Sequence, residues 1–211
     1  MNFFKKVFPL ILTASSILAA DFGVGPLNES DTIYFSSSAK LEFIEGATQH
    51  INGSFSLDPD NTGSGLKGLL RVDLRTLKTG IEKRDEHMLD NHLQTDKYPY
   101  AFFELVSVKD LPSQFFFDST YILNATGNFY IHGGYREMDA VLQVVRRKLP
   151  AAGDEIDIIA RFVIKLDDYK ISRPKALFLK LAETIEVKAI FTGSTQTPVK
   201  VVVLPDWPKL D

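Results

Sequence analysis

Hydrophobic and polar residues alternate with a period of two along most of this chain. Within 66–75 one face collects the charged side chains, with Leu69 as an exception. The opposite face collects apolar or small residues, namely Leu66, Gly68, Leu70, Val72 and Leu74. The same alternation runs through 39–44 and 185–192. Because successive side chains of a β-strand point to opposite faces, this period predicts strands with one buried face.

Further segments have the length and composition of strands. They are 51–57, 100–108, 120–132, 136–145 and 155–166. Turn-forming residues connect them, as at 58–61 and 150–154, and the pair Gly133-Gly134 predicts a tight hairpin. Many antiparallel strands joined by short turns are typical of a sandwich or a barrel, so an all-β fold of one of these kinds is expected.

One charged segment interrupts the strands. Between residues 81 and 93 the apolar residues recur near helical spacing, and Thr79 precedes them as a candidate helix cap. Pro99 ends the run, because the residue before a proline disfavours helical geometry. The pattern predicts a short helical excursion near residues 80–94.

The two ends of the chain carry different signals. Lys5 and Lys6 precede an apolar run at 7–18, and small residues then offer a cleavage site before Asp21. The run is shorter than the roughly 20 residues of a membrane span. We expect a signal peptide over 1–20 and a single domain over 21–211, with an uncleaved N-terminal anchor as the alternative. The segment 199–204 is expected to form either an edge strand or a packed tail.

Composition narrows the class of protein. The chain of 211 residues has no cysteine, so disulfides and thiolate metal sites are excluded. Its net charge of -3, with both signs interspersed, offers no basic face for nucleic acid. The predicted signal peptide indicates a protein outside the cytoplasm, and the lack of cysteine favours a bacterial periplasm, because small secreted eukaryotic domains usually rely on disulfides.

The charged segment could carry chemistry or simply solvate a helix. His87 and His92 are five residues apart, which on a helix separates them by about 140°, unlike the spacing of a zinc-protease helix. Asp85 and His87 could act as an acid–base pair if the fold brought them together. No serine-nucleophile turn, phosphate-binding loop or dinucleotide motif accompanies them. We expect no metal, no cofactor and no catalytic residue.

Aromatic residues are abundant and fall on the predicted strands. The chain holds 16 Phe and 7 Tyr, which either fill a core or line a cavity. An eight-stranded barrel is of the size at which both outcomes occur. If the barrel is hollow, the candidate pocket residues are Phe43, Phe55, Leu70, Val72, Phe102, Tyr130, Phe162 and Phe191.

Several stretches, taken in order, resemble motifs of one known family. They are 51–55 with Gly53 and Phe55, 72–80 ending in Thr79-Gly80, 84–89 with Arg84-Asp85 and His87, 98–103 with Tyr98-Pro99, and 125–133. This ordered set resembles the YceI family of periplasmic lipid-binding proteins. The chain departs from the family at 32–40, where a His-Ser pair is usual, and after the hairpin at Gly133-Gly134. Such departures bear on the ligand, because loops at a barrel mouth select the head group.

The resemblance implies an extended, antiparallel, eight-stranded, lipocalin-like barrel that binds without turnover. The implied ligand is a long-chain isoprenoid or fatty-acyl amphiphile, with no nucleic acid as partner. Candidate head-group residues are Arg84, Arg146 and Arg173, with Arg147, Lys148 and Lys175 also considered. We further consider a transient contact with a membrane surface and a dimeric assembly. Two alternatives stay open: a lipid-modifying hydrolase or isomerase using the Asp85/His87 region, and a filled barrel that grips a protein partner.

Overall fold

The computed structural model describes residues 19–25, 30–38, 43–150, 153–173 and 182–211. The predicted signal segment up to residue 18, residues 39–42 of the predicted strand 39–44, and the candidate Lys175 lie outside the described residues.

Antiparallel strands make up most of the described chain. They are β1 Ala20–Val24, β2 Thr32–Ser38, β3 Phe43–Thr48, β4 Ile51–Leu57, β5 Lys67–Asp73, β6 Tyr100–Lys109, β7 Thr120–Ile131, β8 Gly134–Lys148, β9 Asp154–Lys165 and β10 Thr184–Ser194. β4 to β10 are neighbours in sequence order, and β1 joins β4 to β10 through the pairing of Gly23 with Ser194. These eight strands form a closed antiparallel barrel, which confirms the predicted fold class.

β2 and β3 extend the barrel beyond β1 and β4. β1 and β2 pair with different parts of the same strand, β10: β1 at Ser194 and β2 at Glu186–Ile190. On their other sides, β1 pairs with β4 and β2 pairs with β3. The pair β2–β3 therefore continues the wall that the pair β1–β4 begins. A bridge between Ala47 and Lys78 links β3 to the segment that follows β5.

The predicted helical excursion is present and short. Helix α1 spans Glu82–His87, and a single π-helical turn follows at Met88–His92. Contrary to the prediction, Thr79 does not cap this helix, and its hydroxyl donates to the Asp85 carboxylate instead. Gly80 has a φ of 82°, a left-handed conformation that favours glycine and allows the chain to turn into α1.

The predicted hairpin joins β7 and β8, with its turn one residue earlier than the glycine pair indicates. Ile131 pairs with Gly134, so His132 and Gly133 form the turn, and both have positive φ. This is the backbone geometry that two-residue hairpins favour, because its twist matches that of the strands.

The two ends of the barrel differ. At the covered end, loop 58–66 follows β4 and loop 110–119 follows β6. At the mouth, the helical segment 74–99 follows β5, and the chain after β9 returns to β10. Short 3₁₀ turns at Thr62–Ser64, Leu74–Thr76 and Leu166–Tyr169 belong to these connections. None of the helices in the described ranges is long and apolar enough to cross a membrane.

The C-terminal segment packs on the outside of the wall. Tyr135 donates its N–H to the Pro208 carbonyl, and its own carbonyl accepts from Leu210. The Trp207 ring meets Tyr98 and Phe102 edge-on, with centroids 5.7 and 6.2 Å apart. Residues 199–204 form no strand, and Val199, Val201 and Val203 are exposed, so the tail packs on the wall through 207–210 and not through 199–204.

Candidate functional site

A cavity of about 690 Å³ occupies the interior of the barrel. Its wall includes the whole predicted inward face of β5, together with Val187, Ala189 and Phe191 of β10. The lining is almost entirely aliphatic and aromatic, as expected when one face of each strand points inward. The interior is therefore hollow.

The cavity is long. Ile156 and Ile164 of β9 both line it and are eight residues apart, which corresponds to about 26 Å along a strand. With the usual tilt of barrel strands, the axial length is about 20 Å. This shape is suited to an extended hydrocarbon chain.

The covered end is closed by its two loops. Phe115 is 2% exposed, lines the cavity, and donates its N–H to the Pro59 carbonyl over 2.7 Å. Thr62 donates its N–H to the Ser113 carbonyl over 3.1 Å. These bonds join loop 58–66 to loop 110–119 across the end of the barrel.

Arg146 fastens this covered end. Its guanidinium, 4% exposed, contacts Asp60 over 2.6 Å and Asp154 over 2.5 Å, and it donates to the Phe115 carbonyl over 3.0 Å. The guanidinium thus lies at the covered end, away from the mouth, and two carboxylates already bind it. Contrary to the prediction, Arg146 therefore closes the covered end and does not lie where a head group at the mouth could reach it.

The polar lining gathers at the mouth. The residues concerned are Thr79, Lys83, Arg84, His87, His92 and Ser172, while Ser54 is the one polar lining residue of a strand among those described. All six lie on the helical segment or just after the turn that follows β9. The cavity is thus apolar along its length and polar where the helical segment crosses the barrel.

Arg84 and Asp85 hold the turn that leads into α1. Asp85 accepts hydrogen bonds from the Thr79 N–H over 2.7 Å and from its hydroxyl over 2.5 Å. Arg84 donates to the Thr79 hydroxyl over 2.8 Å and to its carbonyl over 3.1 Å. The described hydrogen bonds of the Asp85 carboxylate come from Thr79 and not from His87.

His92 links the helical segment to the far side of the mouth. Its Nδ1 lies 3.3 Å from the Ser172 hydroxyl. Burial lowers the pKa of His92 below the ordinary value of 6.5, a hydrogen bond with the Ser172 backbone opposes this, and the charge of His87 lowers the pKa further. Burial therefore favours the neutral imidazole, which can take part in the contact with Ser172.

Six of the eight predicted pocket residues lie in the cavity lining: Phe55, Leu70, Val72, Phe102, Phe162 and Phe191. Phe102 lies at the margin, because its ring packs against the outer rings of Tyr130 and Trp207. Phe43 is 60% exposed on the outside of β3, and Tyr130 faces the outer wall, where it stacks on Tyr135. Contrary to the prediction, Phe43 and Tyr130 therefore lie outside the cavity lining.

The head-group candidates separate in the same way. Arg84 lines the mouth, whereas the Arg173 guanidinium pairs with Asp167 over 3.1 Å and is not among the lining residues. Arg147 pairs with Asp118 and Asp157 on the outer wall.

Some lining residues escape strand patterns because they come from connections. Phe115 and Leu111 belong to loop 110–119, and Leu93 follows the π turn. The run Phe115-Phe116-Phe117 offered a signal, but only Phe115 turns inward; Phe116 is 61% exposed. Within the described ranges, no group of three or more His, Asp or Glu side chains could hold a metal ion.

Solved structures share this fold. The chain is similar to a polyisoprenoid binding domain from Saccharophagus degradans implicated in plant cell wall breakdown, with a TM-score of 0.63 and 18% identity over 83% of this chain and 98% of that one. It is also similar to BcnA of Burkholderia cenocepacia, with a TM-score of 0.59 and 16% identity over 77% and 95% of the two chains.

A YCEI protein of Campylobacter jejuni gives a TM-score of 0.61 at 15% identity, over 74% of this chain and 88% of that one. Comparison with curated protein sequences finds no match. A family model for the YceI-like domain matches residues 27–192, which is most of the chain. By that match, and by a closed barrel with a helical segment at its mouth, the chain belongs to the YceI-like domain family.

Proposed function

We propose that this protein binds one long-chain amphiphile, of polyisoprenoid or fatty-acyl type, inside its barrel and carries or sequesters it. The observation that carries the proposal is the apolar cavity of about 690 Å³ with its polar lining gathered at the mouth. Pockets of this volume are of the size that holds small ligands. The polyisoprenoid binding of the Saccharophagus domain supports the same ligand class.

Removal of hydrocarbon from water provides the driving force. Each 100 Å² of apolar surface that the ligand buries contributes about 2.5 kcal/mol. Loss of ligand freedom and ordering of side chains offset part of this gain. Specificity would then come from cavity shape along the wall and from polar contacts at the mouth.

Binding without turnover is favoured over a hydrolase or isomerase. The Asp85 carboxylate accepts two hydrogen bonds from Thr79, which suits a structural role at the turn. Replacement of His87 by alanine separates the two functions. If the protein is a carrier, the variant should bind ligand much as the parent does. If it is an enzyme, the variant should still bind ligand but lose turnover.

We propose that the protein acts outside the cytoplasm, in the periplasm or after secretion. Support comes from the charged start and apolar run of residues 5–18, from the small residues before Asp21, and from the absence of cysteine. Residues 1–20 would then be removed, leaving 21–211 as one domain. N-terminal sequencing of the exported protein tests this, and a mature chain that still begins at Met1 would contradict it.

Organic extraction of freshly purified protein, followed by mass spectrometry, tests the binding function. A long-chain lipid near one equivalent per chain is expected, and clean extracts from several preparations would contradict the proposal. Ala160→Trp places a large ring in the cavity and should abolish retention. Val163→Trp is the matched control, because Val163 lies on the same strand with 56% of its side chain exposed.

A further inference from the structure

We propose that the floor of the cavity, formed by Leu66, Leu111 and Phe115 at the covered end, limits the length of the hydrocarbon chain that the barrel accepts. Within this floor, the Phe115 ring sets the limit. The inference rests on the proposed function and adds the length class of the ligand.

The first support is that the floor closes the end of the cavity. Its three residues line the cavity and come from the two loops of the covered end, Leu66 from 58–66 and the other two from 110–119. Phe115 is the largest of the three and is 2% exposed, whereas Leu66 and Leu111 are half-buried. A hydrocarbon chain that reaches this end of the cavity therefore stops against these side chains.

The second support is that Phe115 is held in place on several sides. Its N–H donates to the Pro59 carbonyl over 2.7 Å, and its carbonyl accepts from Arg146 over 3.0 Å. Its ring meets the Tyr121 ring edge-on, with centroids 4.9 Å apart. The Tyr121 hydroxyl in turn accepts from the Phe116 N–H over 3.0 Å. Moving the floor to admit more chain would break these hydrogen bonds, which is unfavourable for buried groups.

The third support is the change of polarity at the other end. Along the wall the lining is apolar, with Ser54 as its one polar strand residue among those described. At the mouth the lining includes Thr79, His92 and Ser172. Hydrocarbon that extends past the mouth stays in contact with water and gains nothing from burial. The length that contributes to binding therefore runs from the mouth to the Phe115 ring.

The length of the cavity gives the expected limit. An extended hydrocarbon chain advances by about 1.25 Å per carbon, because its bonds are about 1.5 Å long and meet at about 111°. The axial length of about 20 Å between the two ends of the cavity therefore holds about 16 carbons. A prenyl chain advances by about four main-chain carbons per isoprene unit, so the same length holds about four units.

The affinities of two ligand series for delipidated protein test the inference. One series is the straight-chain fatty acids from decanoic to docosanoic acid, and the other is the prenyl alcohols from geraniol to hexaprenol. Displacement of a fluorescent fatty acid measures each affinity. Affinity should rise about fourfold for each methylene that the cavity holds. Beyond about 16 carbons it should stop rising, because the added carbons remain outside the mouth.

Phe115→Ala should move this limit to chains about four carbons longer, because the cavity then extends into the space of the lost ring. Phe115→Leu, a smaller change, should move the limit by about half as much. Phe116→Ala is the matched control, because Phe116 is the neighbouring residue of the same loop and is 61% exposed. Its limit should equal that of the parent protein. A shift toward longer chains also excludes damage to the fold as the cause, since a partly unfolded protein would lose affinity for every chain.

An unchanged limit in Phe115→Ala, or an equal shift in Phe116→Ala, would overturn the role of the floor and leave the carrier function intact. The same holds if affinity in the parent protein keeps rising through the longest chains. Failure of both ligand series to bind would overturn the length limit and the proposed function together.

Discussion

At the scale of single residues, Asp31 shows how burial sets the properties of a side chain. The residue is 1% exposed, and its Oδ1 accepts a hydrogen bond from the Thr192 N–H over 3.0 Å. Burial raises the pKa of Asp31 to about 6, against the opposing effect of that hydrogen bond, and Asp157 adds to the increase. The folded protein therefore favours the protonated form of this carboxyl.

Asp31→Asn should be more stable than the parent protein at pH 7.5, by about 2 kcal/mol. The folded-state pKa lies above the ordinary value of 3.8, so the contribution of Asp31 is fully present below about pH 4 and is lost as the pH rises through about 6. Asparagine keeps an acceptor for Thr192 and carries no charge. Denaturant unfolding at pH 4 and pH 7.5 measures the effect, and an equal difference at both pH values would contradict the role given to burial.

Arg146 and Arg147 are adjacent in sequence, but replacing each by alanine should change the free energy of unfolding by very different amounts. Arg146→Ala leaves the Asp154 carboxylate without its cation and the Phe115 carbonyl without its donor. The free energy of unfolding should therefore fall by about 3 kcal/mol. Arg147→Ala removes only exposed ion pairs with Asp118 and Asp157, for which less than about 1 kcal/mol is expected. Denaturant unfolding of both variants tests this, and equal losses would refute the assigned closure of the covered end.

Side-chain periodicity identified faces but could not say what covers them. On β7, Phe129, Tyr130 and Ile131 are all buried in succession, although alternate residues of a strand face opposite sides. The outer residue Tyr130 is buried because it packs among Phe102 and Tyr135 beside the C-terminal tail. Contacts made by a segment about 75 residues later in the chain leave no local trace in a strand pattern.

At the scale of elements, most strands could be predicted from the sequence, whereas the edges and connections could not. β4 has the predicted bounds Ile51–Leu57, because alternation and turn formers agree there. β8 is longer than predicted and reaches Lys148, since β9 continues the pairing as far as Asp154. Arg84 was singled out by its motif and lies at the mouth, whereas the pairing of Arg146 with Asp60 joins a strand to a distant loop and has no local signal.

The segment 79–93 should control access to the cavity. Asp85→Ala removes the acceptor of two Thr79 hydrogen bonds, so faster amide exchange over 81–93 and faster release of ligand, by several-fold, are expected. Glu86→Ala, at the neighbouring exposed position, should change neither rate. Hydrogen-exchange mass spectrometry and ligand-release kinetics measure both, and unchanged exchange in Asp85→Ala would argue against this role.

At the scale of the whole molecule, the C-terminal tail covers part of the outer face of the barrel wall. The family match ends at residue 192, and the tail beyond it packs Trp207 and Leu210 on the outer wall. Gly134 allows this contact, because a Cβ there would meet the Leu210 side chain at 2.6 Å. The tail thus adds stability from outside while the ligand cavity lies inside.

Trp207→Ala should therefore separate stability from binding. Loss of edge-on contacts with Tyr98 and Phe102 should lower the free energy of unfolding by about 2 kcal/mol. Ligand affinity should be unchanged at temperatures where the variant is folded, because Trp207 is not among the lining residues of the described structure. A variant with parental stability and weakened binding would reverse this assignment.

The barrel is hollow, and we propose that it holds a hydrocarbon chain along its axis. Crystallography of protein purified with its natural ligand tests this most directly. We predict continuous tubular electron density from Phe115 to Leu93, ending in a head group beside α1. A lumen filled by the protein's own side chains, or one holding only water, would contradict the proposal.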